Sequence, residues 1–177
     1  ERKQPLPRFP CRIGVITSAS GAAIHDVLSV LRRRCPQLPV LIYPIPVQGE
    51  QAADQIAHAI RLASQRRECE VLLLVRGGGA LEDLWAFNQE IVARAIQACP
   101  IPLVTGIGHE SDVTIADFAA DRRAATPTAA AELASPDRLE WQHRIEQLAE
   151  RLKETLQRQL ALQRHTLDTP FSTFLTI

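Results

Sequence analysis

The chain has no methionine, few aromatics (five Phe, two Trp and one Tyr) and no excess of either charge, with 20 Lys and Arg against 20 Asp and Glu in 177 residues. The zero balance removes the bulk electrostatic pull that concentrates polyanions, so any anionic ligand must be met by arginines placed locally. Scarce aromatics leave few platforms on which bases could stack. The four cysteines, Cys11, Cys35, Cys69 and Cys99, form no CxxC pair. They therefore read as reduced cytosolic thiols in or near a core, and not as zinc ligands. No apolar run approaches the roughly 20 residues of a membrane helix. The opening ERKQPLPRFPCR has no apolar stretch before a small-residue cleavage site, so neither a span nor a signal peptide is expected. The missing initiator Met and the proline-rich start predict a piece of a longer cytoplasmic chain. The Rossmann GxGxxG, the Walker GxxxxGK[ST] and the hydrolase GxSxG are all absent.

What is present is an ordinary globular composition, 46% hydrophobic and 23% charged, enough for one good core. The segments RIGVIT (12–17), VLIYPIP (40–46), EVLLLV (70–75) and IPLVTG (101–106) are strand-sized, and EVLLLV has the unbroken apolarity of a strand buried on both faces. Between them, Ala22 to Arg34, Gly49 to Arg67 and Leu84 to Ala98 repeat apolar residues at helical spacing. This alternation predicts an α/β fold, a doubly wound, mainly parallel sheet of four or five strands. Thr126-Pro127 and Ser135-Pro136 each look like a helix start with proline in the first turn. From about Pro136, Trp141, Ile145, Leu148, Leu152, Leu156, Leu160 and Leu167 recur every three or four residues, predicting a long helix that either packs or begins a coiled coil. Residues 1–10 thus read as linker, 11–134 as the α/β domain and 135–177 as the start of a truncated helical region.

Right-handed crossovers gather the loops after all parallel strands at one edge of the sheet. The first, Thr17-Ser18-Ala19-Ser20-Gly21, leads into a helix N-terminus. Ser18, Ser20 and Gly21 suit an anion there, and equally a tight turn. After EVLLLV come Arg76 and the run Gly77, Gly78 and Gly79, whose amides can form an anion nest while the guanidinium grips phosphate oxygens. The bland alternative pairs Arg76 with Glu82 or Asp83. After the fourth strand, Gly106, Gly108, His109, Glu110 and Asp112 offer a histidine with a carboxylate three residues on, suited to proton transfer. Metal ligation ranks below that, since the carboxylates lack a definite metal spacing. Asp117 and Asp121 read as cap or solvent residues, and Arg122 and Arg123 as their partners or as phosphate contacts. Asp26, early in the first helix, is ambiguous between a ligand-facing acid and a helix-dipole acid. Arg, glycine nest, His and Asp together best suit chemistry at a phosphate ester.

Three stretches, IGVITSASGAAIHDVL, VRGGGALEDLWAFNQEIVARAI and GIGHESDVTIADFAADRRAATPTAAAE, in that order, closely resemble the catalytic domain of the exodeoxyribonuclease VII large-subunit family. The resemblance covers roughly Pro10 to Leu139 and continues into the start of that family's coiled-coil region. It implies processive degradation of single-stranded DNA from either end to oligonucleotides, in mismatch repair and DNA damage responses of the bacterial cytoplasm. Catalytic positions are implied at Asp26, Arg76, His109 and Asp112, with no metal required and magnesium left open. The implied partners are single-stranded DNA, held by an N-terminal OB-fold, and copies of a small subunit on the helical region. Neither the OB-fold nor the rest of the helical region lies within these 177 residues, so the isolated fragment can be inactive. Rival expectations are a phosphate-binding module without chemistry and a scaffold for small subunits.

Overall fold

The computed structural model describes residues 3–79 and 81–173, with side chains as far as residue 164 except at positions 81 and 82. Five strands form one parallel sheet: β1 (Ile13–Thr17), β2 (Val40–Pro44), β3 (Val71–Arg76), β4 (Leu103–Ile107) and β5 (Arg122–Ala124). Their spatial order is β2-β1-β3-β4-β5. The expected doubly wound α/β architecture is therefore present, with the larger of the two strand numbers.

The sheet centre follows from apolar continuity. Every residue of β1, β3 and β4 is buried. Along β3 the pleat divides the side chains, Leu72 and Leu74 joining one core and Val71, Leu73 and Val75 the other. Helices α2 (Ala52–Arg66), α3 (Glu90–Gln97) and α4 (Ile115–Ala119) supply the first core, through residues such as Ile56, Ile60, Val92 and Ala116. Helices α1 (Ala22–Arg34) and α5 (Pro127–Ala134) supply the second, through Ile24, Val27, Ala130 and Ala131. Fully burying one such leucine contributes roughly 2 kcal/mol, so the two layers rather than any surface contact hold the strand ends in place. The edges are blunted by Pro44 at the end of β2 and by the three-residue length of β5. All four cysteines are free, and burial pushes the Cys69 thiol up to about 11, which leaves it a protonated packing group.

Three local expectations differ. The pattern over Leu84–Ala98 predicts one helix, whereas a 3-10 segment (Leu81–Asn88) precedes α3, with Gln89 extended between them. Burial of Leu84 and Phe87 supplies the apolar spacing, and the Asn88 side chain is spent accepting the Ile115 amide at 2.9 Å. Strand β5 is an addition, since Arg122-Arg123-Ala124 carries no apolar alternation. Finally, Ser135 closes α5, its hydroxyl donating to the Ala131 carbonyl at 2.7 Å. It is Asp137 that caps the next helix, accepting the Leu139 amide at 2.9 Å.

The chain divides into two compact units between Pro136 and Asp137. In the first, Gln4 donates its amide to Asp121 at 2.6 Å and its side chain to the Cys99 carbonyl at 3.0 Å, so the proline-rich opening lies on the α/β unit. The second unit is α6 (Arg138–Thr173), 36 residues long, with Ile145, Leu148, Leu152, Leu156 and Leu160 all exposed along it. Leu167 and the end of the tail lie outside the described side chains. No helix among the described residues is long and apolar enough to cross a membrane.

Candidate active site

In the order β2-β1-β3-β4-β5 the chain reverses direction of travel between β1 and β3. Ligands of open parallel sheets settle at such a reversal, beyond the carboxyl ends of the strands. The loops at and beside it are Ser18–Gly21 after β1, Gly77–Gly79 after β3 and Gly108–Asp112 after β4. Arg76 stands opposite Ile107 in the β3–β4 register, and the Gly108 amide donates to the Arg76 carbonyl at 3.1 Å, so these two strand ends are tied at one level.

Arg76 is buried, its side chain 6% exposed. A guanidinium without bulk water needs acceptors, and three among the described residues surround it: Asp83 Oδ2 at 3.0 Å, the Gly77 carbonyl at 3.1 Å and Gln48 Oε1 at 3.5 Å. Of the two carboxylates considered as its partners, Asp83 is paired with it; Glu82 lies outside the described side chains. A Cβ on Gly79 would come within 2.6 Å of Arg76 Nη2, so this glycine makes room for the guanidinium. Gln48, in the loop after β2, carries no local pattern that could have marked it.

His109 is the opposite case, with its side chain 70% exposed. Gly78 supplies the seat of its ring: a Cβ there would fall on Cε1 and lie 2.7 Å from Nε2. The loop after β3 thereby meets the loop after β4. Asp112 binds the same loop from below. Its Oδ2 accepts the His109 backbone amide at 2.9 Å and stands 3.6 Å from Nδ1 of the ring, while its own amide donates to the His109 carbonyl at 3.0 Å. The longer separation is an ion-pair distance and not a hydrogen bond. The His109 amide holds the Asp112 carboxyl below its ordinary 3.8, against a smaller opposing effect of burial. Gly108 permits the turn: at φ +68 a side chain would be strained, and its Cβ would press on Asp112.

Arg123 completes the loop from β5, donating Nη2 to the carbonyls of Glu110 at 2.8 Å and Asp112 at 3.0 Å. The sequence leaves it as a partner of Asp117 or Asp121 or as a phosphate contact. Those two acids are engaged elsewhere. Asp117 forms a capping box with Thr114, accepting its amide and hydroxyl at 2.8 Å each. Asp121 accepts the Leu103 amide at 2.8 Å and fixes the start of β4.

The other residues singled out from sequence lie in the loop after β1, on α1 and at Gly77. Gly21 is the N-cap of α1, with no side-chain cap and no acid in the first turn, and Ser18 fills the space its missing Cβ leaves. Asp26 lies on the exposed side of α1, whose buried face is Ala23, Ile24, Val27, Val30 and Leu31. Among the described residues, no hydrogen bond or ion pair joins Ser18, Ser20, Gly21 or Asp26 to Arg76 or His109. Gly77 meets nothing within 4 Å of a built Cβ and is open toward solvent. No group of three or more His, Cys, Asp or Glu among the described residues is arranged to hold a metal ion.

A family model described as "Exonuclease VII, large subunit" matches residues 1–173. A protein of Thioalkalivibrio sulfidiphilus is 66% identical over 168 residues, covering 95% of this chain and 38% of the relative. One of Nitrosomonas eutropha is 58% identical over the same coverage, and one of Nitrosomonas europaea 62% over 160 residues, 90% of this chain and 36% of the relative. All three bear the name exodeoxyribonuclease 7 large subunit. The chain thus spans 36–38% of the length of these curated relatives. Matched along nearly its whole length, including both loops that carry Arg76 and His109, the chain belongs to the exonuclease VII large-subunit family.

Proposed function

We propose that this chain carries the catalytic domain of an exonuclease that hydrolyses phosphodiester bonds in single-stranded DNA from both 5′ and 3′ ends, releasing oligonucleotides. The observation that carries this proposal is the seating of the exposed His109 ring on Gly78, which joins a proton-transfer group to the loop of a buried arginine. Phosphodiester hydrolysis needs both functions: charge stabilisation on the non-bridging oxygens, and proton movement at the attacking water or leaving oxygen. Arg76 serves the first. His109 serves the second, with Asp112 fixing the loop that bears the ring. Asp26 belongs to this set through the family motif alone. Ser18, Ser20, Gly21, Gly77, Gly78, Gly79 and Gly108 line the carboxyl edge, where backbone amides and hydroxyls can meet the neighbouring phosphates.

The names of the relatives support a DNA substrate, and the term large subunit supports a smaller partner. The exposed leucine stripe of α6 is the surface we assign to small-subunit copies. Work on damaged or mismatched DNA in the cytoplasm belongs to the same proposal.

The test uses the full-length protein with its small subunit on end-labelled single-stranded DNA, with and without EDTA. Wild type is expected to shorten both 5′- and 3′-labelled strands, and His109→Ala to lose activity by about 10²- to 10⁴-fold while staying folded. A folded His109→Ala that degrades DNA at the wild-type rate overturns the role of His109. Loss of wild-type activity in EDTA assigns part of the chemistry to a metal.

A further inference from the structure

The described part of the α/β unit exposes three aromatic side chains, Phe9, Trp85 and Phe118. Trp85 is 67% exposed although its neighbours Leu84, Ala86 and Phe87 are buried, so the 3-10 segment is held by the core while the indole stands outside it. A large ring mounted on fixed backbone is suited to contact. Trp85 lines a cavity of about 530 Å³ between the loop after β2 and the segment after β3. Both walls reach Arg76. Asp83 on one wall meets its Nη2 at 3.0 Å, and Gly49 on the other follows Gln48, whose Oε1 stands 3.5 Å from the same nitrogen. A group seated on Trp85 is therefore one side chain away from the guanidinium that the proposed function gives to the phosphate.

The charged lining of this cavity among the described residues is acidic, Glu50, Asp54 and Asp83. Carboxylates repel a phosphate, so the cavity does not suit the backbone of a nucleic acid. It suits a flat, uncharged ring that stacks on the indole and turns N–H groups toward the carboxylates. Its volume falls within the roughly 300–1,000 Å³ of small-ligand sites, ample for one base. We infer that Trp85 is a stacking platform for an unstacked base of the single strand whose neighbouring phosphate lies at Arg76. This deepens the nuclease function proposed above and rests on it. The strand is divided by charge, its phosphate going to the arginine and its base to the acidic, indole-lined cavity. An apolar protein surface is the other occupant an exposed indole can take, and it would desolvate the three carboxylates without giving them partners.

The test uses the full-length protein with its small subunit, degrading end-labelled single-stranded DNA in the presence of one of two unlabelled inhibitors of equal length. One is a phosphorothioate strand with all its bases, and the other is an abasic phosphorothioate strand. Trp85→Ala is expected to raise the inhibition constant of the base-bearing strand about 5- to 150-fold. The constant of the abasic strand, the thermal midpoint and the assembly with the small subunit should stay nearly unmoved. Trp85→Phe, which keeps a ring, should recover most of the loss, and Trp85→Leu, which keeps only apolar bulk, should not. Equal constants for the base-bearing strand in Trp85→Ala and wild type overturn the inference. A loss that leucine restores, that is as large for the abasic strand, or that accompanies release of the small subunit gives the indole to a protein contact and overturns it too. An inactive wild-type complex removes the nuclease function itself, whereas an active wild type beside an unaffected Trp85→Ala removes only this inference.

Discussion

The loops after β3 and β4 end neighbouring strands at the same level, yet they treat their functional side chains in opposite ways. Arg76 is nearly sealed, with three acceptors around it, while His109 stands 70% exposed on a glycine seat, its backbone clasped by a carboxylate. The difference suits the roles proposed for the two groups. A guanidinium keeps its charge at every accessible pH, so burial costs it no function and strengthens its field by removing competing water. A group that takes and returns protons needs contact with solvent to reset between turnovers. On the proposed function one loop holds a fixed charge and the other an exchangeable proton, and the glycines that shape them have correspondingly different jobs.

The sharpest way to break this contrast is Gly78→Ala. The new methyl would occupy the place of the His109 ring, and an exposed ring can swing away at little cost in stability. Displacement of a reacting group by an ångström or more is expected to lower kcat about a hundredfold, equivalent to about 2.7 kcal/mol, with no fall in thermal midpoint. Full activity in the folded variant would separate the two loops and dissolve the shared site.

Gly106→Ala should do the reverse. Its Cβ would come within 2.8 Å of the Thr126 carbonyl oxygen and the Ala130 methyl, and within 3.1 Å of Pro127 Cα. Backbone cannot rotate aside, so α5 must shift from β4, at a cost of about 1–3 kcal/mol. Urea unfolding should show that loss, while the surviving folded protein keeps its specific activity. If the two glycine variants behave alike, the distinction between a seat for chemistry and a seat for packing is wrong.

The parts of this arrangement legible in the sequence are those in which one segment carries its own evidence. EVLLLV announces a central strand because every residue is apolar, and Arg76 and His109 stand out because they end such strands. Asp83 is visible only as one of two carboxylates near Arg76, and that it meets the guanidinium is a matter of loop geometry. Gln48 was illegible, since it reaches Arg76 from 28 residues away through a different loop. Strand β5 was hidden by its charge, and Arg123, which could have faced acid or phosphate, turned out to brace the His109 loop through carbonyls. The serines after β1 and Asp26 show the opposite limit: local chemistry drew attention to them, but no described contact joins them to the cluster.

The smallest effect concerns Asp112 and asks whether the backbone or the ring governs that loop. The His109 amide is the largest cause of the lowered Asp112 pKa, ahead of the Ser111 hydroxyl and the ring's charge. Its folded value lies below the ordinary 3.8, so the ionised carboxylate stabilises the loop above that pH, and the contribution is lost as pH falls through the lower, folded value. A carboxyl-carbon NMR titration of the folded protein should accordingly place Asp112 below 3.8. In His109→Ala, which keeps the amide and removes the ring, the midpoint should stay below 3.8 and rise only part of the way toward it. A full return to the ordinary value would make the ring the principal partner and the clasp incidental. If the midpoint stays low, Asp112 is ionised throughout the neutral range whatever the ring's protonation state. Any loss of activity just below neutrality must then arise from a group other than Asp112.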